Sequence, residues 1–148
     1  MHYKFIESPK ELSKLDYTDI QTLLFLLSNS EKVMDRSSVK KILHGSHILI
    51  CRDPEKEQRI IGMACLVEYT TLIESYSRVE DVIVDSAYRN RGIGEELVRR
   101  LIQKSKELEI KMVWLTCGSH REAANKLYKK TGFHLYDTNV YQYLIQEY

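Results

Sequence analysis

One stretch constrains this chain more than any other: Arg89-Asn90-Arg91-Gly92-Ile93-Gly94. Ahead of it, Arg78-Val79-Glu80-Asp81-Val82-Ile83-Val84-Asp85 is rich in β-branched residues and predicts a strand. Behind it, Leu97, Val98, Leu101, Ile102 and Leu108 recur at helical spacing and predict a helix over 95–108. Strand, basic turn and helix in succession make an anion-binding unit. Gly92 and Gly94 let backbone N–H groups approach a ligand with no Cβ in the way. The positive end of the helix dipole lies behind those amides, and Arg89 and Arg91 add full charges.

The turn is not G-x-x-x-x-G-K-[ST], which argues against a nucleoside triphosphate site. Nor is it G-x-G-x-x-G followed by an acidic residue about 20 positions on, which argues against a dinucleotide site. A length of 148 residues suits one domain, 1–148, with a substantial core. The net charge of +1 offers no general attraction to nucleic acid or to a membrane surface. No apolar run approaches membrane-spanning length and the N-terminus lacks a leader pattern, so the expectation is a cytoplasmic protein. Cys51, Cys65 and Cys117 lie in apolar, strand-like surroundings without C-x-x-C spacing, as core thiols in a reducing compartment do. The histidines are scattered, so no metal is expected.

Taken in order, His2 to Glu7 alternates as an opening strand. Thr18 and Gln21 resemble a capping box ahead of a helix with Ile20, Leu23, Leu24 and Leu27 on one stripe, widened by Phe25 and Leu26 into a well-buried helix. A second short helix is expected over 37–43, capped by Ser37 or Ser38, after a polar loop over 29–36. Strands over 47–51 and 60–68 flank a charged turn as a hairpin. A buried strand is expected over 111–117, then a helix over 120–130 capped by Ser119 and ended by Gly132. Two strands, 133–136 and 140–145, close the chain. The fold class is α/β (α+β): a mixed, largely antiparallel sheet of about six or seven strands flanked by about four helices.

Three ordered segments carry a family resemblance. Arg89-x-x-Gly92-x-Gly94 fits the R/Q-x-x-G-x-G/A signature of the GCN5-related N-acetyltransferases (GNAT superfamily). Ala123-Ala124-Asn125-Lys126-Leu127-Tyr128-Lys129-Lys130-Thr131-Gly132-Phe133 resembles that family's A-x-x-x-Y-x-x-x-G-F segment, and the strand from Val79 to Val84 resembles its central strand. The resemblance implies transfer of an acetyl group from acetyl-coenzyme A, a co-substrate, to an amine by direct attack in a ternary complex. It also implies splayed central strands whose gap holds the pantetheine arm. Val82, Ile83 and Val84 would pair with that arm through their main chain. Arg89, Asn90, Arg91, Gly92, Ile93 and Gly94, with Glu95 in the first helical turn, would hold the pyrophosphate.

The same resemblance makes Tyr128 the acid that protonates the departing thiolate, against the alternative of a packing tyrosine. An attacking amine must be neutral, so at pH 7 something has to take its proton, directly or through water. Glu80 and Asp81 are adjacent in an apolar strand, which points them to opposite faces. Glu80 then serves the acceptor cleft as a base or ammonium anchor, or else each carboxylate pairs with a cation such as Arg78 or simply lies at a bulge. Asn125, one turn before Tyr128, would bond to the pantetheine or the phosphates. His120, Arg121, Lys129 and Lys130 fit a solvated face, and Cys117 a core or cleft-lining thiol. The acceptor is a small-molecule or peptide amine, and the last strand could join a homodimer. An acyl-coenzyme A sensor without turnover, or an enzyme for another acyl donor, are the alternatives.

Overall fold

The computed structural model describes residues 1–29 and 33–145. In order they form β1 (His2–Ile6), a 3-10 turn (Pro9–Glu11), α1 (Lys14–Ser28), α2 (Arg36–Ile42), β2 (Ser46–Asp53), β3 (Arg59–Thr70), β4 (Ser75–Val84), a second 3-10 turn (Ser86–Tyr88), α3 (Ile93–Glu107), β5 (Met112–Trp114) and α4 (Glu122–Lys130). The strands make one sheet in sequence order, antiparallel throughout except for the β4–β5 pair. That pair is parallel because α3 carries the chain back across the sheet before β5 begins. The mixed, largely antiparallel class with four helices is as expected.

Each sheet face has its own core. Ile20 and Leu23 of α1 and Val39 of α2 pack with Ile48, Ile50, Ile60, Met63 and Ile83 on one side. Ile93, Leu97 and Leu101 of α3 pack with Leu49, Ile61, Ala64, Leu66 and Val79 on the other. Leu23, Leu97 and Leu101 are fully buried, each contributing roughly 1.5–3 kcal/mol by removal from water. Gly62 lets α3 sit close to β3: a Cβ there would lie 3.3 Å from both the Ile93 Cγ2 and the Ile83 carbonyl oxygen. All three cysteines are free thiols, with Cys51 and Cys65 buried. No helix among the described residues is long and apolar enough to cross a membrane.

Several expectations are corrected. The sheet has five strands among the described residues, because 133–136 and 140–145 have strand-type sequences but no strand beside them. β5 pairs over only three residues, and Met112 is exposed, so 111–117 is not a buried strand. α1 starts one turn earlier than Thr18. Ser13 Oγ accepts from the Asp16 N–H at 3.2 Å and Asp16 Oδ2 from the Ser13 N–H at 2.7 Å, completing a capping box there. Gln21 instead accepts from the Met34 N–H. Phe25 and Leu26 are 51% and 43% exposed, so α1 is buried along one stripe only. Asp35, not a serine, caps α2, accepting from the Ser38 N–H at 2.7 Å. α4 begins at Glu122 with no side-chain cap, so Ser119 does not serve. Of the expected loop at 29–36, residues 30–32 lie outside the described residues; Asn29 ends α1 in a left-handed conformation.

Candidate active site

β4 contains the irregularity that shapes the site. Met63 pairs with Ile83 but Cys65 pairs with Glu80, so β4 holds one extra residue. Asp81 takes a φ of +52°, and the strand bulges there. Ahead of the bulge Val79 faces α3; beyond it Val82 and Val84 face α3 while Ile83 faces α1. The expected simple alternation of Glu80 and Asp81 across the sheet is therefore broken. A non-glycine residue in the left-handed region is uncommon and directs attention to this point of the strand.

The bulge adjoins a gap. β4 and β5 pair only from Tyr76 with Met112 to Arg78 with Trp114. β4 runs on to Val84, so its edge from Val79 onward has no strand on the β5 side among the described residues. Unpaired strand edges offer main-chain N–H and C=O groups to an extended ligand. Arg89 Nε donates to the Val84 carbonyl at 3.2 Å, which fastens the following turn to the foot of this edge.

Asn90 and Gly92 both have positive φ, 60° and 78°, folding 89–94 into a tight basic turn. The amides of Ile93, Gly94 and Glu95 open α3 without a side-chain cap. Tyr88 braces the turn from behind: its hydroxyl donates to Asp53 Oδ2 at 2.7 Å, and Arg91 stacks over its ring at 5.0 Å. That hydrogen bond pushes the Tyr88 phenol up and holds the Asp53 carboxyl below its ordinary range. The Glu95 carboxylate pairs with Lys130 Nζ at 2.6 Å and Arg99 Nη2 at 2.9 Å, and those cations, Lys130 first, keep its pKa low. The pair ties α3 to α4; what Glu95 presents to the turn is its backbone amide.

The A-x-x-x-Y-x-x-x-G-F segment has a local physical basis. The Phe133 N–H donates to the Tyr128 carbonyl at 3.0 Å and the Gly132 N–H to the Lys129 carbonyl at 3.1 Å, with Gly132 at a φ of 100°. These are the two hydrogen bonds of a Schellman motif, and its apolar contact is the Phe133 ring set edge-on to Tyr128 at 6.0 Å. Half-buried Tyr128 is thus held by its own helix terminator. Among the described residues its hydroxyl has no hydrogen-bond partner. Burial raises its pKa, Cys117 and Glu80 add to the rise, and Arg121 opposes it. The phenol keeps its proton at neutral pH. Asn125 spends both amide hydrogens on the Gly118 and Arg121 carbonyls, 2.9 and 3.0 Å away. Only its oxygen remains to meet a ligand, which suits a donor such as a pantetheine amide and not a phosphate.

Glu80 lies on the sheet face opposite Val79, part exposed. Burial raises its carboxyl pKa, Arg78 opposes that, and Asp81 adds to it. The arrangement can therefore hold an anion at the α3 N-terminus, align an extended chain along β4, and offer a proton donor and an acceptor at the bulge. A groove of about 540 Å³ bounded by Asp16, Asp19, Arg52 and Arg59 lies elsewhere, and those charges satisfy one another. Residues 15–133 match the family model described as Acetyltransferase (GNAT) family. The chain belongs to the GNAT acetyltransferase family. Over 90 residues this GNAT chain is 38% identical to a protein of Oryza sativa subsp. japonica named probable glucosamine 6-phosphate N-acetyltransferase 2; the match covers 58% of this chain and 52% of that protein. It is 33% identical over 81 residues to N-acetyltransferase 8 of Homo sapiens, covering 53% and 36%. The chain thus spans about half the length, or less, of these curated relatives. An aminoglycoside acetyltransferase structure from an uncultured soil metagenomic sample superposes with a TM-score of 0.81 at 16% identity, covering 99% of this chain and 96% of that one; the likeness is one of fold. Sequence reasoning missed Tyr88, Asp53 and Trp114 around this candidate site, since their partners lie on other elements.

Proposed function

We propose that this chain is an acetyl-coenzyme A-dependent N-acetyltransferase that acetylates a primary amine of a small molecule or peptide by direct attack. One observation carries the reading: the uncapped N-terminus of α3 stands at the foot of the unpaired β4 edge, with Glu80 at its other end and the Tyr128 phenol near enough to feel the Glu80 charge. The turn formed by Arg89, Asn90, Arg91, Gly92, Ile93 and Gly94 binds the pyrophosphate through main-chain amides and guanidinium charge. Val82, Ile83 and Val84 pair with the pantetheine arm, and Asn125 accepts from it. The amine nitrogen attacks the thioester carbonyl carbon, the new C–N bond forms and the C–S bond breaks. Glu80, directly or through water, takes the proton the amine loses, and Tyr128 gives one to the departing sulfur.

Relatives named for glucosamine 6-phosphate support a small amine acceptor and make that sugar the first acceptor to assay. Charge reversal at the turn tests the donor half. By calorimetry, Arg89→Glu and Arg91→Glu are each expected to weaken acetyl-coenzyme A binding about tenfold or more, most strongly at low salt. Unchanged affinity in both variants would place the pyrophosphate elsewhere.

The reading extends to a homodimer. α4 has no fully buried residue, and Leu135, Tyr136, Val140, Tyr141, Tyr143, Leu144 and Ile145 are all exposed. Contiguous apolar exposure of this kind marks an interface, which a second copy would cover. Light scattering should then give twice the chain mass, and a monomeric mass contradicts this part.

A further inference from the structure

Arg78 is the last β4 residue paired with β5, so its side chain stands where the two strands part. It reaches three ways. Its Nε lies 2.5 Å from Glu80 Oε1 but without hydrogen-bond alignment, so the contact is one of charge and the buried N–H has no directed acceptor. Nη2 donates to Thr116 Oγ1 at 2.9 Å, on the chain leaving β5. The guanidinium lies over Trp114 at 5.1 Å. Trp114 is itself fixed, its Nε1 donating to the Tyr69 hydroxyl at 2.5 Å, and Tyr69 packs on Tyr76. A guanidinium in a fixed plane, stacked and bonded on its far side, has little freedom to leave the carboxylate.

We infer that Arg78 is a positioning residue: its charge contact holds the Glu80 carboxylate toward the cleft, and its bond to Thr116 and stacking on Trp114 pin the β5 wall where the cleft opens. This rests on the cleft role proposed for Glu80. The groups around Glu80 leave that task to Arg78. Asp81 on β4 repels its charge. Cys65, its register partner on β3, is pushed to about 12 by burial, Asp81 and Glu80 contributing, and stays a neutral thiol. Tyr128 on α4 stays a neutral phenol. On the same sheet face α1 contributes Ile20 and Leu23, which carry no charge. Arg78 is the one cation in an ion pair with Glu80 among the described residues. Burial and Asp81 favour the protonated acid; the guanidinium opposes them. With Arg78 removed, Glu80 must titrate at higher pH.

Carbon-13 NMR of labelled glutamate side chains reads this without any acceptor, with Glu80→Gln identifying the resonance. In Arg78→Met the Glu80 carboxyl should titrate at higher pH than in the wild type, and Arg78→Lys should return it most of the way. With acetyl-coenzyme A and glucosamine 6-phosphate, the acidic limb of kcat/KM should move upward with it. Arg78→Met should run severalfold slower than wild type on that limb, with KM for acetyl-coenzyme A little changed. An unmoved Glu80 titration in folded Arg78→Met overturns the inference. Should that variant not fold, exposed Thr116→Val replaces it: loosening Nη2 should shift Glu80 the same way, and no shift overturns the inference equally. The two readings separate cleanly. If Glu80→Gln slows turnover while Arg78 variants leave the titration unmoved, only the positioning role fails. If Glu80→Gln changes neither rate nor pH profile, the base assignment fails and takes this inference with it.

Discussion

Replacing Tyr128 with phenylalanine should lower kcat about 100-fold at saturating substrates while leaving KM for acetyl-coenzyme A within about twofold. The ring alone supplies the packing against Phe133, and the Schellman hydrogen bonds are main-chain, so Tyr128→Phe keeps the helix end. What it removes is one proton in a half-buried position. Because burial, helped by Cys117 and Glu80, raises the phenol above its ordinary range, the acid form is present throughout neutral pH. The wild-type basic limb assigned to this group should therefore fall above the pH of a free tyrosine and vanish in the variant. Steady-state kinetics across pH measure both. Near-wild-type turnover in Tyr128→Phe would return Tyr128 to a packing role.

The second large effect concerns the frame. Asp19→Ala should lower the unfolding free energy by about 2–3 kcal/mol and the melting temperature by roughly 5–10 °C. Asp19 is 6% exposed, and it joins α1 to the start of β3. Its Oδ2 accepts from the buried Ile60 N–H at 2.9 Å, and its Oδ1 from Arg59 Nε and Nη2 at 3.0 and 2.6 Å. Alanine strands the Ile60 N–H in the core. Arg59 is largely exposed and recovers water, which keeps the cost below that of breaking a wholly buried pair. Asp19→Asn, which retains an acceptor for Ile60, should lose about half as much in urea denaturation. Equal losses in the two variants would mean that the charge pair, not the backbone acceptor, carries the stability.

What was legible in the sequence was local. The β-branched run, the glycines of the basic turn and the apolar stripe of α3 sit within one continuous segment, so periodicity and backbone freedom expose them. Gly132 likewise marks the end of α4, because a left-handed residue just past a helix is usually glycine, though Asn29 fills that conformation after α1. Competing local signals were not separable. Ser13 with Asp16 and Thr18 with Gln21 both have capping-box spacing, and only the long-range demand of Met34 on Gln21 decides between them. The adjacent carboxylates Glu80 and Asp81 in an apolar strand allow a bulge as one reading, but nothing local singles out Asp81 as its positive-φ residue over a cation pair. Arg78 meets Trp114 and Thr116 through strand register, and Tyr88 meets Asp53 across the hairpin; neither follows from spacing in the chain. Residues 133–145 have the composition of strands, but a strand exists only with a partner.

Thiol release from acetyl-coenzyme A, followed with and without a panel of amines that includes glucosamine 6-phosphate, tests the acetyltransferase claim most directly. Release that requires an amine, matched mole for mole by its acetylated product, is the predicted result. Tight binding of acetyl-coenzyme A with no amine-dependent thiol from any member of the panel would contradict it, and would identify a domain that senses the thioester without consuming it.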